Sequence, residues 1–131
     1  MKTKKWKLLA YVAAILCLSI IAFFIYAIRV DAHKTIKAII SNLGPYEMEN
    51  VTLRVTGNQY QLGLINEGSQ AFAQVRAKGE SHIEIGYDRN GKTFNLVVDR
   101  YFEAGYSGTI SVEVENDKIA KITDKIQLSQ Y

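Results

Sequence analysis

Residues Leu8 to Ile28 are 21 consecutive positions without a charged side chain. No other feature limits the fold of this chain as strongly. As a helix the run is about 31 Å long, and a bilayer's hydrocarbon core is about 30 Å thick. Lipid cannot satisfy open backbone groups, so a segment of this kind has to be helical. Ser19 is tolerable there, because its hydroxyl can bond back to a carbonyl one turn earlier. The run is too long for the apolar stretch of a cleaved signal peptide, about 7–15 residues. Ile25-Tyr26-Ala27 and Val30-Asp31-Ala32 are also poor small-x-small sites. Leu16 before Cys17 is too bulky for a lipoprotein signal. The expectation is an uncleaved anchor that meets lipid through residues 8–28.

Charge sets the expected orientation. Lys2, Lys4, Lys5 and Lys7 precede the run, and Arg29, Lys34 and Lys37 follow it around Asp31. Four lysines in the first seven residues favour a cytoplasmic tail over residues 1–7. The rest of the chain then lies outside, in the periplasm or at the cell exterior, a bacterial envelope being the natural setting. Trp6 and Tyr26 stand near the two ends of the run, where aromatic side chains suit the interfaces. The net charge of +3 belongs to the tail: the remainder holds 12 Lys and Arg against 13 Asp and Glu, a net of −1. No basic surface for nucleic acid is expected. Cys17 is the only cysteine, so no disulfide framework can form.

Residues 29–45 read as a helical connector. Ile36, Ile39, Ile40 and Leu43 recur at helical spacing, and Gly44-Pro45 would stop the helix. Its stripe, above all Ile36, Ile39 and Ile40, has to bury against the following domain or serve as a helix contact for a partner subunit.

From Val51 onward, in an outer domain of residues 46–131, the period becomes two. Val51, Leu53 and Val55 alternate with polar residues, as do Tyr60, Leu62 and Leu64, then Ala71, Ala73, Val75 and Ala77. Ile83, Ile85 and Tyr87 follow, then Phe94, Leu96 and Val98, then Ile110, Val112 and Val114, and Ile119 to Leu128 closes the chain. Asn90-Gly91 and Asn116-Asp117 are hairpin turn signals. About seven short strands with regular turns predict an all-β, antiparallel domain, an immunoglobulin-like sandwich or a small barrel. The cysteine–tryptophan–cysteine marks of true immunoglobulin domains are absent.

Chemistry is harder to find. The two histidines, His33 and His82, lie far apart, and no metal-ligand spacing appears. Ser81 and His82 are neighbours, but successive strand side chains point to opposite faces, so they cannot act as nucleophile and base. His82, with Glu80 and Glu84 on the same face, reads as an ordinary surface histidine. No phosphate-binding glycine loop occurs. The expectation is neither an enzyme nor a metal or cofactor protein.

The stretch from Asp99 to Gly108 stands out, with Tyr101, Phe102 and Tyr106 among charges and two glycines. Tyr and Arg are favoured at interfaces, and the same residues can also cap a sandwich end. Phe72 falls on the polar face of its strand beside Gln74 and Arg76. Tyr101, Phe102, Glu103, Tyr106, Phe72 and Arg76 are therefore the candidate partner-binding residues. The function expected is a single-pass, membrane-anchored module that binds another protein; one concrete form is an immunity-type inhibitor of a toxin. The alternatives are an accessory subunit of a larger membrane complex and a glycan or peptidoglycan-binding module.

Overall fold

The computed structural model describes residues 2–32 and 34–129. Two units compose it, the first ending at His33 and the second beginning at Lys34. The first is a single helix, α1 (Lys2–Ala32). Its stretch Thr3–Arg29 is long and apolar enough to cross a membrane, and none of it is buried. The Ser19 hydroxyl donates to the Leu16 carbonyl at 2.8 Å, satisfying itself within the helix.

The second unit is a β-sandwich of eight strands: β1 (Ile36–Asn42), β2 (Met48–Val55), β3 (Asn58–Ile65), β4 (Gln70–Val75), β5 (Ser81–Arg89), β6 (Lys92–Phe102), β7 (Tyr106–Glu115) and β8 (Lys118–Leu128). One sheet has the order β4-β1-β7-β8 and the other β3-β2-β5-β6. All pairings are antiparallel except β1 with β7, which is parallel. The two sheets are separate, which makes this a sandwich and not a closed barrel.

The expected connector helix is corrected here. Residues 36–42 are a central strand, hydrogen-bonded to β4 on one side and β7 on the other. Ile36, Ala38 and Ile40 face the core, while Ile39 points outward beside Phe72. The stripe of Ile36, Ile39 and Ile40 thus does not exist as one face, and it cannot be a helix contact. Three β-branched isoleucines suit a pleated surface better than a helix, and two neighbouring strands supply the pairing. The sandwich accordingly takes in residues ahead of 46.

Two further shifts of phase come from bulges. Gly63, at φ +75°, lies where the β2–β3 register slips, so Leu64 turns outward and Ile65 takes the buried place. In β8 the extra residue Ala120 separates Ile119 from Ile122 and Ile126. All three still pack on the core, because a bulge inserts one residue without ending the pairing. The hairpin turns are as the sequence implies. Asn90-Gly91 and Asn116-Asp117 hold positive φ at both central positions, the primed geometry that matches strand twist.

The core joins both inner faces, from Ile40, Val112 and Val114 on one sheet to Leu53, Ile85 and Phe102 on the other. Side chains also clip the open edges. Asn58 donates to the Arg76 carbonyl at 2.8 Å, and the Arg76 N–H donates to the Tyr60 hydroxyl at 2.8 Å, closing β3 on β4. Arg100 and Asp124 are 3.3 Å apart and join β6 to β8.

Candidate functional site

The sandwich presents loops at two ends. The end where β1 begins gathers Thr56-Gly57, the segment from Ala77 to Ser81, and the loop from Phe102 to Tyr106. Backbone and hydroxyl bonds tie these together: Ser81 Oγ accepts from the Thr56 N–H at 2.9 Å, and the Lys78 N–H donates to the Thr56 carbonyl at 3.4 Å. An open cleft of about 690 Å3 lies here, walled by Thr56, Glu80, His82, Val97, Asp99 and Tyr101.

The structure sorts the six candidate residues. Tyr101 is 55% exposed at the cleft, and Glu103 is exposed beside it. Phe102 is wholly buried; alternation along β6 turns it into the core, so it cannot touch a partner. Tyr106 is half-buried against the core, its N–H donating to the Glu103 carbonyl at 3.3 Å. Phe72 is exposed on the outer face of β4, with the Lys37 ammonium 4.3 Å from its ring centre. Arg76 follows β4, its backbone engaged in closing the sandwich edge. Because β4 and β6 are edge strands on opposite sides of the sandwich, Phe72 and Arg76 do not join Tyr101 in one site. His82 lies 3.3 Å from Glu84, which also meets Arg54 at 3.4 Å.

Desolvation against the cleft wall, a hydrogen bond to Glu103 and the charges of Glu103 and Glu80 push the Tyr101 phenol up to about 12. Burial pushes Tyr87 higher still, helped by its bond to Asp117. Both should therefore ionise above the ordinary tyrosine range near 10 in an alkaline titration of tyrosinate absorbance. Tyr101→Phe should remove one late component. Retention of both late components in that variant would place Tyr101 in open water.

The opposite end, where β1 finishes, was not singled out by sequence. Asn42 is fully buried there. Its amide donates to the carbonyls of Tyr46 (2.7 Å) and Ile65 (3.1 Å), and its side-chain oxygen accepts from the Gly44 N–H at 3.1 Å. Arg89, 6% exposed, meets Asp117 at 2.6 Å and reaches the Glu47 carbonyl at 3.4 Å. Asp117 also accepts from the Tyr87 hydroxyl at 2.7 Å, and Tyr87 stacks on Phe94 at 5.2 Å. Two buried polar side chains thus hold the loop Leu43–Glu47 from beneath. A signal for this existed. Ile83, Ile85 and Tyr87 share a parity that, carried on two residues, puts Arg89 inside, where a cation needs a carboxylate. Asn42 shares the inward parity of Ile36, Ala38 and Ile40, but that was hidden by the helical reading.

No family model matches the chain, and no curated protein matches it in sequence. Solved structures superpose on it to differing degrees. A protein from Eubacterium rectale, determined by NMR, superposes with a TM-score of 0.50 at 12% identity, over 77% of this chain and 94% of that one. A candidate cell adhesion protein from Bacteroides uniformis gives 0.43 at 11%, over 72% of this chain and 50% of that one. Another from Bacteroides ovatus gives 0.42 at 15%, over 76% and 46%. This chain spans about half the length of the latter two. At these identities the likeness is one of fold.

Proposed function

We propose that this chain is a membrane-anchored, extracytoplasmic module that binds another protein and carries out no catalysis of its own. The observation that carries this reading is the helix Thr3–Arg29, apolar and wholly unburied, ahead of a sandwich that fills its own core. A helix apolar all round needs an apolar surrounding, and lipid supplies it. The four lysines ahead of the run favour a cytoplasmic N-terminus. The exposed loops at both ends of the sandwich then offer binding surface on a rigid frame.

The test is extraction and labelling. The full chain should resist alkaline extraction from membranes. In a Cys17→Ser background, Lys121→Cys on the exposed β8 should react with a membrane-impermeant maleimide on intact cells whose outer barrier is opened. Release into the soluble fraction would discard the anchor, and labelling only after lysis would reverse the topology.

The cleft at Tyr101 favours one second reading, a glycan ligand. An exposed tyrosine ring beside Val97, with Glu80, His82 and Asp99 around it, has the apolar face and polar rim a sugar ring needs. Muropeptides added to the protein should then shift the Tyr101 signals and leave those of Tyr46 alone; no shift removes this reading.

A further inference from the structure

We propose that the loop Leu43–Glu47 is a docking surface for a basic segment of a partner protein, seating an arginine or lysine side chain against the Tyr46 ring and among Glu47, Glu49 and Glu67. The proposal deepens the interaction-module reading and rests on it only for the partner's being a protein.

The loop is fixed before anything binds. Asn42 and Arg89, both buried, hold the Tyr46 and Glu47 carbonyls in place. Above that support Tyr46 is 58% exposed, with Leu43 and Pro45 also open to solvent. An aromatic ring on a preorganised backbone loses little freedom on binding, which is what lets it act as an anchor. Among the described residues the bonds to Tyr46 reach its carbonyl and not its side chain.

Charge complementarity selects the occupant. Beside the ring is a cleft of about 420 Å3 lined by Pro45, Tyr46, Glu47, Glu49, Asn66 and Glu67. None of the three glutamates belongs to an ion pair among the described residues. Among the described residues that line the cleft the one cation, Arg89, is buried and committed to Asp117. The cleft is thus anionic with an aromatic wall. A guanidinium or ammonium gains there from both the ring face and the carboxylates. A bare metal ion is a poorer occupant, because among the described residues no three carboxylates or histidines converge closely enough to hold one. A second hollow of about 310 Å3 shares Pro45, Tyr46, Arg89 and Asn90 with the first and is lined further by Lys92, Phe94, Asn116 and Asp117. Tyr46 thus borders two recesses, a relief that suits a chain segment laid across it.

The test titrates the full chain, held in non-ionic detergent micelles, with an end-capped hexa-arginine peptide. Hexaglutamate and chitohexaose serve as comparisons. Binding of hexa-arginine alone is expected. Tyr46→Ala should weaken it about tenfold, and this variant should fold, because the loop is held through the carbonyl. The triple variant Glu47→Gln, Glu49→Gln, Glu67→Gln should weaken it at least as much and flatten its dependence on salt. Tyr101→Ala should bind as the parent does. The proposal is overturned if Tyr46→Ala binds normally, which would mean diffuse charge attraction, if Tyr101→Ala loses as much, or if chitohexaose binds at Tyr46 in place of the peptide. Loss of membrane anchoring with peptide binding intact would sink the module reading and leave this surface standing.

Discussion

Gly108→Ala should be the most damaging single substitution in the sandwich, costing on the order of 4 kcal/mol, a large share of a small domain's stability. Gly108 holds φ +129° in β7, between Ile36 of β1 and Ile126 of β8. A methyl group there would run into the Lys125 carbonyl oxygen, with the carbonyl carbon 2.9 Å away and Ile126 Cα 3.0 Å away. These are backbone atoms of a paired strand and cannot swing aside as a side-chain tip would. Backbone strain of about 1–3 kcal/mol is joined by an overpacking cost of about 1–3 kcal/mol. A small domain has only about 5–15 kcal/mol in total. Gly68, at φ +69° with nothing near its added Cβ, is the control, since its alanine variant meets strain without collision and should lose far less. Urea unfolding of the full chain in micelles, followed by strand circular dichroism, measures both. Equal losses at the two positions would mean that the β7–β8 approach is looser than the geometry requires.

Asp117→Ala should cost about 2–4 kcal/mol, more than the turn geometry alone accounts for. The substitution strands the buried Arg89 guanidinium and removes the acceptor of the Tyr87 hydroxyl. Removing one partner of a buried pair typically costs about 3–5 kcal/mol; Asp117 keeps part of its surface in water, which lowers the figure. Arg89→Met with Asp117→Asn should be less harmful than the sum of the two single changes, because no unpaired charge remains. Strict additivity in that double-mutant cycle would show the pair to be energetically silent. The network also sets an alkaline limit. Tyr87 is raised above its ordinary value near 10 by burial and by Asp117. The folded state therefore holds the phenol proton more tightly than the unfolded chain. That contribution is fully present below pH 10 and is lost as pH rises through the folded value. Melting temperature should fall above pH 10, and Tyr87→Phe should flatten the fall.

How far the sequence could be read depends on how local each signal is. The period of two from Val51 to Val114 marked β2 to β7, and it gave the correct inward sets at Ile83, Ile85 and Tyr87 and at Ile110, Val112 and Val114. Those residues answer to a pleat that any strand has. Phe72 was rightly put on the polar face. The stretch 36–42 was misread because Ile36, Ile39, Ile40 and Leu43 also fit a helix, and Ala38 is too small to advertise the alternation. Phe102 and Tyr106 read as binding residues from residue type alone, whereas the inward parity of Phe94, Leu96 and Val98 carried on to 102, and that of Ile110 carried back to 106, turns both toward the core. The support of the loop Leu43–Glu47 was only partly legible, through the inward parity of Arg89, because Asn42 of β1, Arg89 of β5 and Asp117 of the β7–β8 turn come together only in the fold.

What the sequence alone determined is what one segment can decide for itself. Residues 8–28 must be helical because no other backbone satisfies itself in an apolar surrounding. Asn90-Gly91 and Asn116-Asp117 turn because their own φ preferences allow it. Tertiary structure decided the rest. β1 is a strand because β4 and β7, which begin only at Gln70 and Tyr106, offer hydrogen bonds on both sides. Arg89 can be buried because Asp117 arrives from the other sheet. Tyr46 stands exposed and rigid because its carbonyl is held by residues from two different strands. Each depends on partners that only the folded chain brings within reach, and hydrogen bonds and ion pairs act over a few ångströms.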